Sequence, residues 1–198
     1  MKTTSLAQLG GLAVLLGALL SAIGNLMYFL SGQQPATTLQ VWIGIWASAF
    51  LVLGLGALYA RLAQPGGVQA LIGYILLIWG NMASVGSEAV SLGVAQGAFS
   101  SDQLAQVPSY VFVGTITAWI VVLGNILLGA AVYRANVFPK YAGALLVLVG
   151  VVQAFTGPVV IARPVYALLS FAAWAWLGGA LLMAGRTAAP ESAAAASN

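Results

Sequence analysis

The chain contains no cysteine and no histidine, and only three of its 198 residues are acidic. Without cysteine there is no disulfide, no thiol nucleophile and no thiolate metal site. Without histidine there is no imidazole base, no Ser-His pair and no His-ligated haem. The acidic residues Glu88, Asp102 and Glu191 are dispersed and do not make the paired carboxylates of acid–base catalysis. Lys2 and Lys140 are the only lysines, and both flank apolar runs, which excludes a mid-membrane Schiff base. The glycines fall inside apolar runs and form no phosphate loop. These absences argue against an enzyme, a metal site and an evident cofactor. Missing cysteine is silent about redox compartment, because a chain buried in lipid needs no disulfide staple.

Charge is scarce as a whole. Charged residues make up 5% and hydrophobic residues 62%, where a soluble domain carries about 25% charged residues. The sequence therefore predicts an all-α integral membrane protein, multi-pass in the cell membrane, with the lipid bilayer as its main surroundings. The net charge of +3 is no nucleic-acid signal, since the six cations are scattered.

Six apolar runs are long enough to cross the hydrocarbon core, which takes about 20 helical residues. They are Leu9 to Leu30, Leu39 to Ala60, Gly66 to Ser87, Tyr110 to Tyr133, Tyr141 to Ile161, and Pro164 to Ala184. Helices pair their own backbone groups, and the alternation of a membrane barrel is missing. Lys2 and the following apolar run resemble a signal peptide, but the run continues to Leu30 and its sequence recurs later, so a retained helix is expected. Residues 1–186 read as one six-helix domain. After Arg186 the small-residue stretch at 187–198 reads as a disordered tail. SGQQPATT, LAQPGG, NVFPK and ARP are the short connections. In the longest loop, Ser100 precedes Gln103 by three residues, a capping-box pattern that predicts a short helix over SSDQLAQ.

Lys2, Arg61, Arg134, Lys140 and Arg186 all fall on one side of a six-span chain, and only Arg163 on the other. The positive-inside rule then places both termini in the cytoplasm, with Glu88 and Asp102 outside.

The chain also repeats itself. AQLGGLAVLLGALLSAIGN at Ala7 to Asn25 and AQPGGVQALIGYILLIWGN at Ala63 to Asn81 are identical at nine of nineteen positions. Glycines recur in steps of seven at Gly10, Gly17 and Gly24, at Gly66, Gly73 and Gly80, and at Gly143, Gly150 and Gly157. Seven residues make nearly two helical turns, so each set lines one face. The even spans end in GALYAR, GAAVYR and GALLMAGR. Three tandem hairpins are expected, about 7–61, 63–134 and 141–186, as parallel internal repeats. Small faces let helices approach closely in lipid, where burying leucine gains little. That assigns the glycine stripes to helix packing. The competing reading is a smooth groove for a lipid, quinone or pigment.

Intramembrane polar residues are the short search list for a site. Asn25 and Asn81 are equivalent in the repeat, and the third unit has Pro158 instead. Asn125 and Gln153 should lie deeper. Interhelical hydrogen bonding accounts for such amides, and a polar pathway is the alternative. Glu88 shares a face with Asn81 and Ser84. It reads as a solvated carboxylate at the outer interface, or alternatively as a proton or cation site backed by those residues, with Arg163 as partner. Most of the tryptophans and tyrosines read as interfacial anchors.

The sequence therefore suggests a non-catalytic accessory or scaffold subunit that packs against other membrane subunits or itself, with room for a lipophilic ligand. The alternative is a small channel or transporter with a polar pathway near Asn25, Asn81, Asn125, Gln153 and Glu88. A continuous pore would favour the second, and a closed bundle with apolar outer grooves the first.

Overall fold

A computed structural model describes residues 3–31, 36–156 and 162–195, with side chains placed between 6 and 184 of these. It is all-helical, 91% helix and without strands among the described residues. The helices are α1 (Thr3–Leu30), α2 (Thr38–Ala95), α3 (Ser101–Ala105), α4 (Pro108–Ala135), α5 (Lys140–Ala154) and α6 (Ala162–Ala195). Four of them, α1, α2, α4 and α6, are long and apolar enough to cross a membrane.

The two runs Leu39 to Ala60 and Gly66 to Ser87 are the two limbs of α2, folded back on each other. The reversal lies at Gly67, with φ 55° and ψ −150°, just after Pro65. Glycine alone reaches that backbone region cheaply, and proline removes a helix donor beside it. The fold-back is proved by Tyr59 and Tyr74, whose rings stack with centroids 4.4 Å apart. Fifteen residues of straight helix would part them by about 22 Å.

Local chemistry sets the other ends. Thr37 and Gln40 form a complete capping box at the start of α2. Ser100 and Gln103 form another, starting α3 where the sequence predicts it. Asn136, at φ 57°, ends α4 in the left-handed conformation that asparagine tolerates. The run Tyr141 to Ile161 is shorter as a helix than its hydrophobicity suggests. α5 ends at Ala154, and Phe155 and Thr156 turn back onto the carbonyls of Val152 and Gln153. Gly157 and Pro158 lie outside the described residues. ARP does not form the last connection, because Ala162, Arg163 and Pro164 already belong to the first turn of α6. Proline is tolerated there, where its missing N–H is no loss. At its other end α6 continues to Ala195, into the segment assigned to a tail from composition.

The limbs form a closed ring. α1 packs on α2 and α6, α4 on α2 and α5, and α5 on α6. Glycine permits most of these approaches. A Cβ at Gly10 would collide with Ala57, and one at Gly17 would lie 2.9 Å from the backbone nitrogen of Leu51. At Gly73 it would lie 2.6 Å from the Leu128 nitrogen, and at Gly80 it would strike Val121. At Gly150 it would lie 2.8 Å from the Val122 carbonyl. Gly24 has only the Ile43 side chain nearby at 3.4 Å, and Gly66 meets Ala70 and Leu62 of its own turn. Gly157 lies outside the described residues.

The stripe of α5 faces α4, whereas those of α1 and of the second α2 limb face the helix that follows them. The even-span glycines also differ: Gly129 is packed, but Gly56 and Gly179 have nothing within 4 Å of a Cβ. Close approaches not foreshadowed by the stripes occur at Gly11 against Gly178, Gly54 against Val14, and Gly124 against Leu77.

One end of the ring is filled with leucine. Leu55, Leu58, Leu128, Leu146, Leu177 and Leu181 have no exposed surface. Outside, Leu9, Leu16, Ile75, Trp79, Phe112 and Trp119 are exposed apolar groups. Trp46 and Trp119 both point outward at 54% exposure.

Candidate functional site

The other half of the ring encloses a cavity of about 340 Å³, to which all six limbs contribute. α1 supplies Ser21, Asn25 and Tyr28. The first limb of α2 supplies Gln40, Gly44 and Ser48, and the second supplies Asn81, Ser84 and Glu88. α4 gives Asn125, α5 gives Gln153, and α6 gives Arg163, Tyr166, Ser170 and Trp174. All seven polar residues singled out in the sequence, Asn25, Asn81, Ser84, Glu88, Asn125, Gln153 and Arg163, therefore line a single space. Leu51, Leu77 and Trp174 border it toward the leucine-filled end. The only buried polar side chains among the described residues are Gln40, Ser48, Asn125 and Ser170, all on the cavity wall. The polar lining is thus a cup within the described residues and does not run through the ring.

The amides are oriented by the helix backbone. Asn25 Nδ2 donates to the carbonyl of Ser21, and Asn81 Nδ2 to that of Leu77, both at 2.8 Å. These two equivalent residues make the same bond, four residues back along their helices. A carbonyl accepts only, so the nitrogen end of each amide is fixed and Oδ1 remains as an acceptor. Ser84 Oγ likewise donates to the Gly80 carbonyl at 2.8 Å.

Asn125 is 2% exposed. Its Nδ2 donates to Gln153 Oε1 at 3.2 Å, tying α4 to α5. Its Oδ1 is buried without a partner. A buried acceptor left unpaired costs about 1–3 kcal/mol, so such atoms are rare in folded proteins.

The two charges on the wall are handled differently. The alternative reading of Glu88 as a proton or cation site makes Arg163 its partner, and the structure pairs Arg163 elsewhere. Its Nε donates to the carbonyl of Thr156 at 3.1 Å, and its guanidinium lies 4.7 Å from the Tyr28 ring centroid. That position puts a cation just beyond the C-terminus of α5, where the helix dipole is negative. Glu88 is half-buried, and its carboxylate lies over Gly44, where a Cβ would come within 2.8 Å of Oε1. No ion pair or hydrogen bond reaches it from the described residues.

Some wall residues carried no clear sequence signal. Ser48 and Ser170 are lone hydroxyls within apolar runs, and Gln40 reads as a cap residue only. Trp174 looks like the other tryptophans but is buried at 4% exposure, whereas Trp176 beside it is 43% exposed. No group of three metal-ligating side chains exists among the described residues.

Three cations gather at the opposite, closed end. Arg134 donates to Gln69 Oε1 at 3.0 Å, and Arg61 lies 6.0 Å from the ring centroid of Phe138, which is two residues before Lys140. No protein-family model, no curated protein and no solved structure matches the chain.

Proposed function

We propose that the protein is a non-catalytic six-span protein of the cell membrane that binds a small polar solute in its cavity and carries it across the bilayer. The observation that carries this reading is the convergence of polar side chains from all six limbs on one space; the polar lining is not a continuous pore, so it supports a carrier with a binding site rather than a channel. Polar groups in a bilayer are costly, and they are retained where they meet water, each other or a ligand. A concave space with a few oriented polar groups suits a small molecule.

Orientation follows from charge. Arg61, Arg134 and Lys140 cluster at the closed end, so the positive-inside rule puts that end and both termini in the cytoplasm. The polar half of the ring then lies on the outer side. Transport would require the leucine-filled half to separate, with the chain alternating between outward and inward openings. The matching bonds of Asn25 and Asn81 support the reading of units 7–61 and 63–134 as parallel repeats, with 141–186 as a more divergent third.

The glycine stripes are largely taken up by neighbouring helices, which leaves little smooth groove for a quinone or pigment. Gly56 and Gly179 are open, and this favours a second reading, in which a further membrane subunit or a second copy packs on those faces.

The test is solute uptake into proteoliposomes holding the purified protein, across small cationic, anionic and neutral polar solutes. Saturable uptake of one class, lost on Asn125→Leu, supports the carrier reading. Leakage no greater than in empty vesicles for every class, together with no ligand-dependent thermal stabilisation, would overturn it.

A further inference from the structure

We propose that the α4–α5 hairpin holds an anionic phospholipid, with Arg134 and Lys140 receiving its phosphate and the apolar face beside them receiving its chains. The inference rests on the chain spanning a bilayer and is independent of the cavity.

The two cations are brought together by the close crossing of α4 and α5. A Cβ on Gly143 would come within 2.6 Å of the Tyr133 backbone nitrogen. Arg134 follows Tyr133, and Lys140 lies just under one helical turn before Gly143. Standard backbone dimensions then place the Arg134 and Lys140 Cα atoms within about 14 Å of each other. Both residues are exposed. Two long side chains can close on one phosphate from that spacing.

Neither charge is neutralised within the described residues. Arg134 spends one of its five N–H donors on Gln69 Oε1, a neutral acceptor, at 3.0 Å. Lys140 has no hydrogen-bond or ion-pair partner among the described residues. Arg61 adds a third positive charge beside the same turn, where its guanidinium lies 6.0 Å from the Phe138 ring centroid. Glu88 is on the cavity wall and Asp102 on α3, so both of these carboxylates belong to the other end. Helix dipoles do not supply the missing negative charge either. The C-terminus of α4 meets the N-terminus of α5 at this turn, and their opposite partial charges largely cancel.

The adjoining surface fits acyl chains rather than a soluble anion. Leu123 lies eleven residues before Arg134, which is three helical turns along the same side of α4, and it is exposed. Val151 lies eleven residues after Lys140 on α5, with Leu148 between them, and both are exposed. Eleven helical residues rise about 16 Å. One leaflet is about 15 Å deep, half of a hydrocarbon core of about 30 Å. The charges therefore stand at headgroup level and the apolar side chains at chain level. With the closed end cytoplasmic, this is the negatively charged leaflet.

The test follows the thermal midpoint of the full-length protein in a neutral detergent, at constant ionic strength. The probes are dihexanoyl phosphatidylglycerol, dihexanoyl phosphatidylcholine and inorganic phosphate. A saturable rise is expected for the phosphatidylglycerol and none for the other two. Arg134→Gln and Lys140→Gln should each raise its half-maximal concentration about fivefold, and the double variant about 25-fold. Lys140→Gln, at an exposed position without a partner, keeps the test decisive if loss of the Gln69 bond unfolds the Arg134 variants.

An equal rise with phosphatidylcholine would overturn the proposal, because headgroup charge would then play no part. An equal rise with inorganic phosphate would overturn it in favour of a free-anion site. A phosphatidylglycerol response unchanged in Lys140→Gln and in the double variant would place the lipid elsewhere. No response to phosphatidylglycerol in the parent would overturn the site altogether.

Discussion

Gly129 of α4 and Gly143 of α5 lie back to back, such that a Cβ on either would approach the other's carbonyl oxygen to 2.7 and 2.6 Å. Gly129 and Gly179 occupy the same place in the even-span pattern, yet Gly179 meets nothing within 4 Å. Gly129→Ala should therefore cost about 1–3 kcal/mol by overpacking against backbone that cannot move aside. Gly179→Ala should melt at or above the parent, since alanine is the better helix former by about 1 kcal/mol. Thermal unfolding in detergent checks both, and equal behaviour of the two would refute the packing assignment.

The Asn125–Gln153 hydrogen bond is the one side-chain link between α4 and α5 among the described residues. A double-mutant cycle with Asn125→Leu and Gln153→Leu should give a coupling of about 0.6–1.7 kcal/mol, the range found for interhelical bonds in lipid. Asn125→Leu alone should cost less than the loss of a bond suggests, because it also removes a buried acceptor without a partner. Unfolding free energies in mixed micelles provide the numbers.

Gly67 holds the reversal of α2 at positive φ. Gly67→Ala should destabilise the protein by about 1–3 kcal/mol through backbone strain alone, because nothing lies within 4 Å of its Cβ position. Val68→Ala, next to it and 71% exposed, is the control expected to change little. Chemical unfolding of the two variants separates strain from packing.

Orientation is open to direct labelling, since the chain has no cysteine of its own. Ser101→Cys, on α3, should react with an impermeant thiol reagent added to intact cells. Val68→Cys, at the closed end, should react only after the membrane is permeabilised. Labelling of Val68→Cys in intact cells would reverse the proposed topology.

The sequence by itself determined that the long apolar runs form helices, but not where α5 and α6 end. Apolar runs of membrane length must satisfy their backbone internally, so composition alone decided an all-helical chain. Local chemistry was legible as well: the Ser100–Gln103 box and the Gly67 turn follow from neighbouring residues. Five of the seven polar positions stood out because each interrupts an apolar run, and Glu88 and Arg163 because they are charges at the ends of such runs. Only the tertiary structure decided that these positions share one cavity, because residues from Asn25 to Arg163 meet only when α6 closes the ring on α1. It also decided which glycines are packed. Gly129 and Gly179 carry the same local sequence signal, and what differs is whether another backbone lies opposite. Pairing was hidden for the same reason. Arg163 and Glu88 have opposite charges on the same side of the chain, but the end of α5 at Thr156 takes the guanidinium and leaves the carboxylate over Gly44.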